Sequence, residues 1–151
     1  MKTRLTTILA RAILAWAIIA LPIWAACAQV SDGVVKIGVL ADMSGMYADL
    51  SGPGSVTAAQ MAVEDFGGTV LGKPIVVVSA DHQNKPDVGA SIARAWYDRE
   101  QVDAIVDVPV SSVAFAVQQA SRERNKVLLL SAAGASDLTG KSCSPVSVHW
   151  T

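Results

Sequence analysis

Cysteine and histidine are nearly missing from this 151-residue chain, which has two of each. No His/Cys cluster with metal-ligand spacing can be assembled from so few, so neither a metal site nor a cofactor is expected. Aromatic residues make up only 5% and charged residues 17%. No basic stripe or aromatic–basic interleaving occurs, which argues against nucleic acid as a partner. The sequence has no Gly-x-Ser-x-Gly elbow, and Gly52-x-Gly54 is not continued into Gly-x-Gly-x-x-Gly, so neither a hydrolase nucleophile nor a phosphate loop is indicated. It also lacks internal repeats, charge blocks and low-complexity segments.

What is present begins with a leader. Residues 1–28 carry Lys2, Arg4 and Arg11, no acidic residue, an apolar run over 12–26, and Ala26-Cys27-Ala28 before Gln29. This is the pattern of a secretory signal peptide, with cleavage expected after Ala28. A membrane anchor wants about 20 apolar residues, whereas this run is shorter and broken by Pro22. A lipoprotein signal built on Cys27 would want an aliphatic residue where Trp24 stands. Loss of the three basic residues moves the formal net charge from −1 to −4, leaving a mildly acidic exported chain. Cys143 is then the single cysteine. It is expected either to be buried and inert or to pair with a residue beyond Thr151.

Beyond the leader the hydrophobic pattern alternates between two periods. Residues 34–41 (VVKIGVLA), 74–80 (PIVVVSA), 104–108 (AIVDV) and 126–131 (KVLLLS) are short, apolar and β-branched, as buried strands are. Between them lie helical spacings: Val56, Ala59, Val63 and Phe66 up to Gly67-Gly68; Val88, Ile92, Ala95 and Trp96; and Val113, Ala116, Val117 and Ala120. The resulting β-α-β-α-β-α-β order predicts an α/β fold with a doubly wound parallel sheet. Residues 146–151 read as a further strand just begun.

In such a sheet the ligand crevice lies beyond the carboxyl ends of the strands, where the winding reverses. The loops in question cover residues 42–54, 108–112 and 131–139. They are rich in hydroxyls and glycines and poor in catalytic groups. After Pro109, Ser111 or Ser112 is placed to cap a helix whose N-terminus can receive an anion. Any helix can use such a cap, so the serines alone do not define a site. Asp81-His82 is expected to be a surface turn. Asp42 and Asp107 invite comparison with the acidic pocket of phospho-receiver domains, which a signal peptide argues against. Cys143 and His149 could be drawn as a thiol–imidazole pair, but no third residue orients them. No catalytic residue is assigned, and the chain is expected not to be an enzyme.

Two stretches, VVKIGVLADMSGMYADLSGPGSVTAAQMAVEDF and VPVSSVAFAVQQASRERNKVLLLSAAGASDLT, resemble periplasmic substrate-binding proteins of the branched-chain amino acid (leucine/isoleucine/valine-binding) type, which serve ATP-driven importers. The resemblance implies a two-lobed fold with a periplasmic-binding-protein-like type I lobe. It also implies a membrane permease as partner, a periplasmic location and a monomeric state. By the same resemblance, Ser112, Val113 and Ala114, with Ala133, Gly134 and Ser136, would hold a ligand carboxylate through hydroxyl and backbone N–H groups. Tyr47, Asp49 and Leu50 would line the cleft. Leu50 falls where amino-acid binders can carry an aromatic residue, which leaves aromatic acids and other small carboxylates open as ligands. Family members are more than twice this length, so residues 29–151 are expected to be an incomplete N-terminal lobe with the second lobe absent. Two other expectations belong to different classes: a sensory ligand-binding domain on the same fold, and an exported thiol hydrolase built on Cys143.

Overall fold

The computed structural model describes residues 32–150; the expected leader, its cleavage point and Cys27 lie outside the described residues. Strand β1 (Val35–Ala41) leads through a loop to helix α1 (Gly52–Phe66), then come β2 (Thr69–Val70), β3 (Lys73–Asp81) and α2 (Pro86–Ala95). A π-helical turn (Trp96–Glu100) follows, then β4 (Ala104–Asp107), α3 (Ser111–Arg124), β5 (Val127–Leu130), a 3-10 turn (Ser136–Leu138) and β6 (Ser147–His149). The strands make one sheet in the order β2-β3-β1-β4-β5-β6, parallel except for the β2–β3 pair. From β1 the chain winds first to β3 and then, on the other side, to β4, so the winding reverses at β1 and β4. The doubly wound parallel α/β sheet expected from the sequence is the one observed.

Alternation along the strands divides the sheet into two unequal faces. Leu40, Val78, Ala80, Ile105, Leu128 and Leu130 meet Trp96, Val113 and Val117 on the face covered by α2 and α3. That face is the core. Gly38 of β1 lies under the Trp96 ring so closely that a Cβ would sit 2.4 Å from Cζ3, so only glycine fits there. A Cβ on Gly89 would sit 2.5 Å from Cγ1 of Val113, so glycine is also what lets α2 approach α3. The buried tyrosine and serine between these helices satisfy each other, Tyr97 Oη lying 2.8 Å from Ser121 Oγ.

The opposite face is thinly covered. Val35, Ile37, Ile75, Val106 and Leu129 line a groove of about 590 Å3 between α1 and Trp150. Phe66, the last of the residues at helical spacing in α1, is 65% exposed and stands at the rim of that groove.

Several local expectations are corrected. The hairpin of β2 and β3 was not legible in the sequence: Leu71 and Gly72 turn it with φ of 53° and 74°, but the strand is only two residues long. Helix α1 starts at Gly52, where Pro53 suits the first turn. In α2 the buried residues are Gly89, Ala90 and Ala93, whereas Val88, Ile92 and Ala95 are only partly buried. Small side chains there serve contact with α3, which the apolar spacing alone does not reveal. Finally, α3 is capped by Val110 with no side-chain cap hydrogen bond, so neither Ser111 nor Ser112 acts as the cap.

Candidate ligand-binding site

The order β1-β4-β5 sets three loops side by side at the carboxyl edge of the sheet. The first loop is held by two carboxylates. Asp42, fully buried, accepts the N–H of Gly45 at 2.9 Å and of Tyr47 at 3.1 Å. Asp81 accepts the N–H of Met43 at 3.1 Å and the Ser44 hydroxyl at 2.6 Å, together with the N–H of Gln83 at 2.7 Å. Burial pushes the Asp81 carboxyl up, but these donors outweigh it and hold the group below its ordinary value. Tyr47 packs on the core, while Met46 and Leu50 are 79% and 70% exposed. Asp49 is exposed as well.

The second loop turns sharply. Asp107 and Val108 both have left-handed backbones, φ 79° and 56°, a costly conformation for a β-branched residue. Pro109 and Val110 are buried, and the turn aims the start of α3 at the crevice edge. Ala114 donates its N–H to Val110 O at 2.8 Å, closing the first helical turn. The N–H groups of Ser111, Ser112 and Val113 come before that bond and are left over by the helix. Ala114 therefore spends the backbone donor that was expected to meet a ligand. Val113 and Ala114 bury their side chains completely, whereas Ser112 is exposed.

The third loop follows β5. Ser131 donates its hydroxyl to Asp107 Oδ1 at 2.8 Å, tying this loop to the second. Ala133 is fully buried and its carbonyl oxygen contacts Nε2 of His149; Gly134 and Ser136 are exposed.

Both histidines belong nearer this edge than their sequence positions suggested. His82, expected on a surface turn, is fully buried, because parallel pairing with β1 carries its N–H to Ala41 O at 3.0 Å. Its Nδ1 accepts the N–H of Asn84 at 3.0 Å, which puts the proton of the neutral ring on Nε2. Nε2 has no protein partner among the described residues, and neither has Oδ2 of Asp107. Burial pushes the His82 pKa below 6.5, and the nearby Asp42, Asp81 and Asp107 anions offset only part of that shift. A neutral folded ring means that the unfolded chain binds the extra proton, so stability is complete above pH 6.5 and falls as pH drops below it. The slope can reach about 1.4 kcal/mol per pH unit. Urea midpoints of wild type and His82→Gln between pH 7 and 5 check this: the variant should show the shallower loss.

Cys143 is a free, exposed cysteine, not a buried one, and no group of three His, Cys, Asp or Glu residues suited to a metal occurs among the described residues. The edge therefore offers hydroxyls, leftover N–H groups and exposed apolar side chains, an arrangement that defines a class: a doubly wound lobe with an open crevice.

The family behind that class is identifiable. The chain belongs to the periplasmic binding protein family, whose description "Periplasmic binding protein" matches residues 34–151. It is 50% identical to a periplasmic binding protein from Burkholderia mallei, over 78% of this chain and 32% of that one, with a TM-score of 0.76. It is 48% identical to a branched chain amino acid ABC transporter periplasmic ligand-binding protein from Burkholderia xenovorans, over 74% of this chain and 30% of that one, with a TM-score of 0.72. A third structure, an ABC transporter solute binding protein from R. palustris in complex with benzoate, is 27% identical over 78% of this chain and 32% of that one, with a TM-score of 0.69. The chain thus spans about a third of these proteins. Nothing among the curated proteins matches it.

Proposed function

We propose that this chain forms the solute-binding lobe of an exported, periplasmic substrate-binding protein that delivers a small carboxylate-bearing solute to the permease of an ABC importer, without catalysing a reaction. The observation that carries this reading is the start of α3. Its leftover Ser111, Ser112 and Val113 N–H groups lie between two small-residue loops at the carboxyl edge, where a carboxylate gains hydrogen bonds and the favourable end of the helix dipole. The Ser112 hydroxyl adds a donor, and Gly134 and Ser136 face the same ligand from the third loop. Tyr47, Asp49 and Leu50 line the first loop. One relative is named for branched-chain amino acids and another binds benzoate; the polar group these ligands share is the carboxylate, which fits an anion subsite on this lobe and selectivity set elsewhere. The protein acts as a monomer in this reading.

Calorimetric titration with a panel of amino acids and aromatic acids tests the proposal, using the chain joined to the remaining two-thirds of the Burkholderia mallei relative so that a complete cleft is present. Lack of binding to every small carboxylate would sink it. Ser112→Ala is the sharper arm. Because Ser112 makes no cap bond, the substitution should leave the melting temperature in place and cost roughly 1–3 kcal/mol of carboxylate binding.

A further inference from the structure

The left-handed turn at Asp107 and Val108 that aims α3 at the crevice persists only if its surroundings over-determine it. Two of its anchors are direct. Val108 donates its N–H to Leu40 O at 3.1 Å, and the Ser131 hydroxyl donates to Asp107 Oδ1 at 2.8 Å. The other carboxylate oxygen, Oδ2, belongs to a side chain 7% exposed and has no partner among the described residues. A complementary group lies across the end of β1. His82 is fully buried and held by a tight turn, in which its carbonyl accepts the N–H of Lys85 at 2.9 Å and its Nδ1 accepts that of Asn84 at 3.0 Å. Gln83 and Asn84 are both left-handed there. The turn fixes the ring and leaves Nε2–H as a buried donor that no described residue accepts.

We infer that His82 is a positioning residue for the carboxylate site at the start of α3, its Nε2–H linked to Asp107 Oδ2 through one buried water. The inference rests on the solute-binding reading above. Three observations converge on it. His82 and Val108 donate their N–H groups to the consecutive carbonyls of Ala41 and Leu40, so His82 and Asp107 flank the same end of β1. They stand about two strand spacings, or roughly 10 Å, apart, a span that an imidazole, one water and a carboxylate close. The Asp107 anion is also among the charges whose field reaches the ring. Finally, the other two carboxylates nearby are already supplied with donors: Asp42 accepts two N–H groups, and Asp81 accepts two N–H groups and a hydroxyl. Asp107 is the one with an oxygen to spare, and buried polar groups without a protein partner are satisfied by ordered water. The consequence is geometric. With Oδ1 held from the third loop and Oδ2 from the end of β3, the turn has one path, and the Ser111, Ser112 and Val113 N–H groups have one direction. A ligand carboxylate is sensitive to displacements of such donors by a fraction of an ångström.

The test has a ligand-free arm and a binding arm. Nitrogen-15 histidine spectra of the 151-residue chain, whose only histidines are His82 and His149, should show the His82 ring protonated on Nε2. That proton should be protected from solvent exchange and correlated with a bound water, and Asp107→Asn should abolish the protection. For the binding arm, an Asn side chain imitates Nδ1 and a Gln side chain imitates Nε2–H. In the chain joined to the remaining two-thirds of the Burkholderia mallei relative, His82→Asn should keep the Asn84 hydrogen bond. It should weaken whichever of leucine, isoleucine and benzoate binds by roughly threefold to tenfold. His82→Gln should lower the melting temperature yet hold affinity within about twofold of the unsubstituted protein. In an Asp107→Asn background, His82→Asn should cost no further affinity. A freely exchanging Nε2 proton overturns the inference, as does a His82→Asn variant that binds as tightly as the unsubstituted protein, or full additivity of the two substitutions. If none of the three carboxylates binds the unsubstituted fusion, the solute-binding reading fails and the positioning role with it, a failure that the histidine spectra tell apart from a missing link.

Discussion

Trp96→Ala is expected to remove about 3–5 kcal/mol of stability, measured as a drop in the urea midpoint at pH 7. That is a large part of the roughly 5–15 kcal/mol that holds a domain folded. The ring is 4% exposed and lies flat enough on β1 that a Cβ at Gly38 would come within 2.4 Å of Cζ3 and 2.6 Å of Cε3. Its backbone carbonyl also accepts the N–H of Val102 at 3.0 Å, so the residue joins α2 to the segment leading into β4. Loss of the ring leaves a cavity at the centre of the sheet that Gly38 has no atoms to fill. The same contact predicts a coupling. Gly38→Ala alone should cost about 1–3 kcal/mol by overpacking, and less in a Trp96→Leu background, where the added methyl meets open space. Equal costs in the two backgrounds would show that the ring and the glycine do not constrain one another.

Gly38 also illustrates what a sequence conceals. In VVKIGVLA it reads as an interruption in a strand; its reason is a ring some 58 positions away. The alternation of strands and helices along the chain and the three long helices were legible because burial on two faces leaves an apolar, β-branched signature and helices leave a 3.6-residue one. Phe66 marks the limit of the same logic, since periodicity reports that a face is apolar, not that something covers it. His82 was misread because a polar run after a strand usually marks a surface turn. Only the pairing of β3 with β1, which carries its N–H to Ala41 O, accounts for its burial next to Gly89 of α2. Ser112 keeps its place at the start of α3 but changes meaning. Its hydroxyl makes no cap bond, which leaves it available to a ligand. Ala114 gives up its N–H to Val110, a one-residue distinction in helix phase that sequence spacing does not resolve.

Asp42→Ala is expected to cost about 2–4 kcal/mol of stability, because two charge-assisted hydrogen bonds disappear and the N–H groups of Gly45 and Tyr47 lose their acceptor. The carboxylate is fully buried, and the first crevice loop is wrapped around it so tightly that a Cβ on Gly45 would fall 2.4 Å from Oδ2. The loop carrying Tyr47, Asp49 and Leu50 would thus lose its fixed path even where the sheet survives. Carboxylate affinity in the fused, two-lobed protein should fall along with the midpoint, in contrast to Ser112→Ala, which should separate the two. Asp42→Asn sharpens the cause: its single carbonyl oxygen can serve one of the two N–H groups, and its NH2 then faces the other, so an intermediate loss is expected and a full rescue would exclude the two-acceptor arrangement. The substitution also reaches His82. The Asp42 anion raises the pKa of that buried ring, so its removal lowers the folded value further and widens the range below pH 6.5 over which acid destabilises the fold. Between pH 7 and 5 the urea midpoint of Asp42→Ala should therefore fall by more than that of the wild type, and parallel profiles would show that Asp42 and His82 are not electrostatically linked.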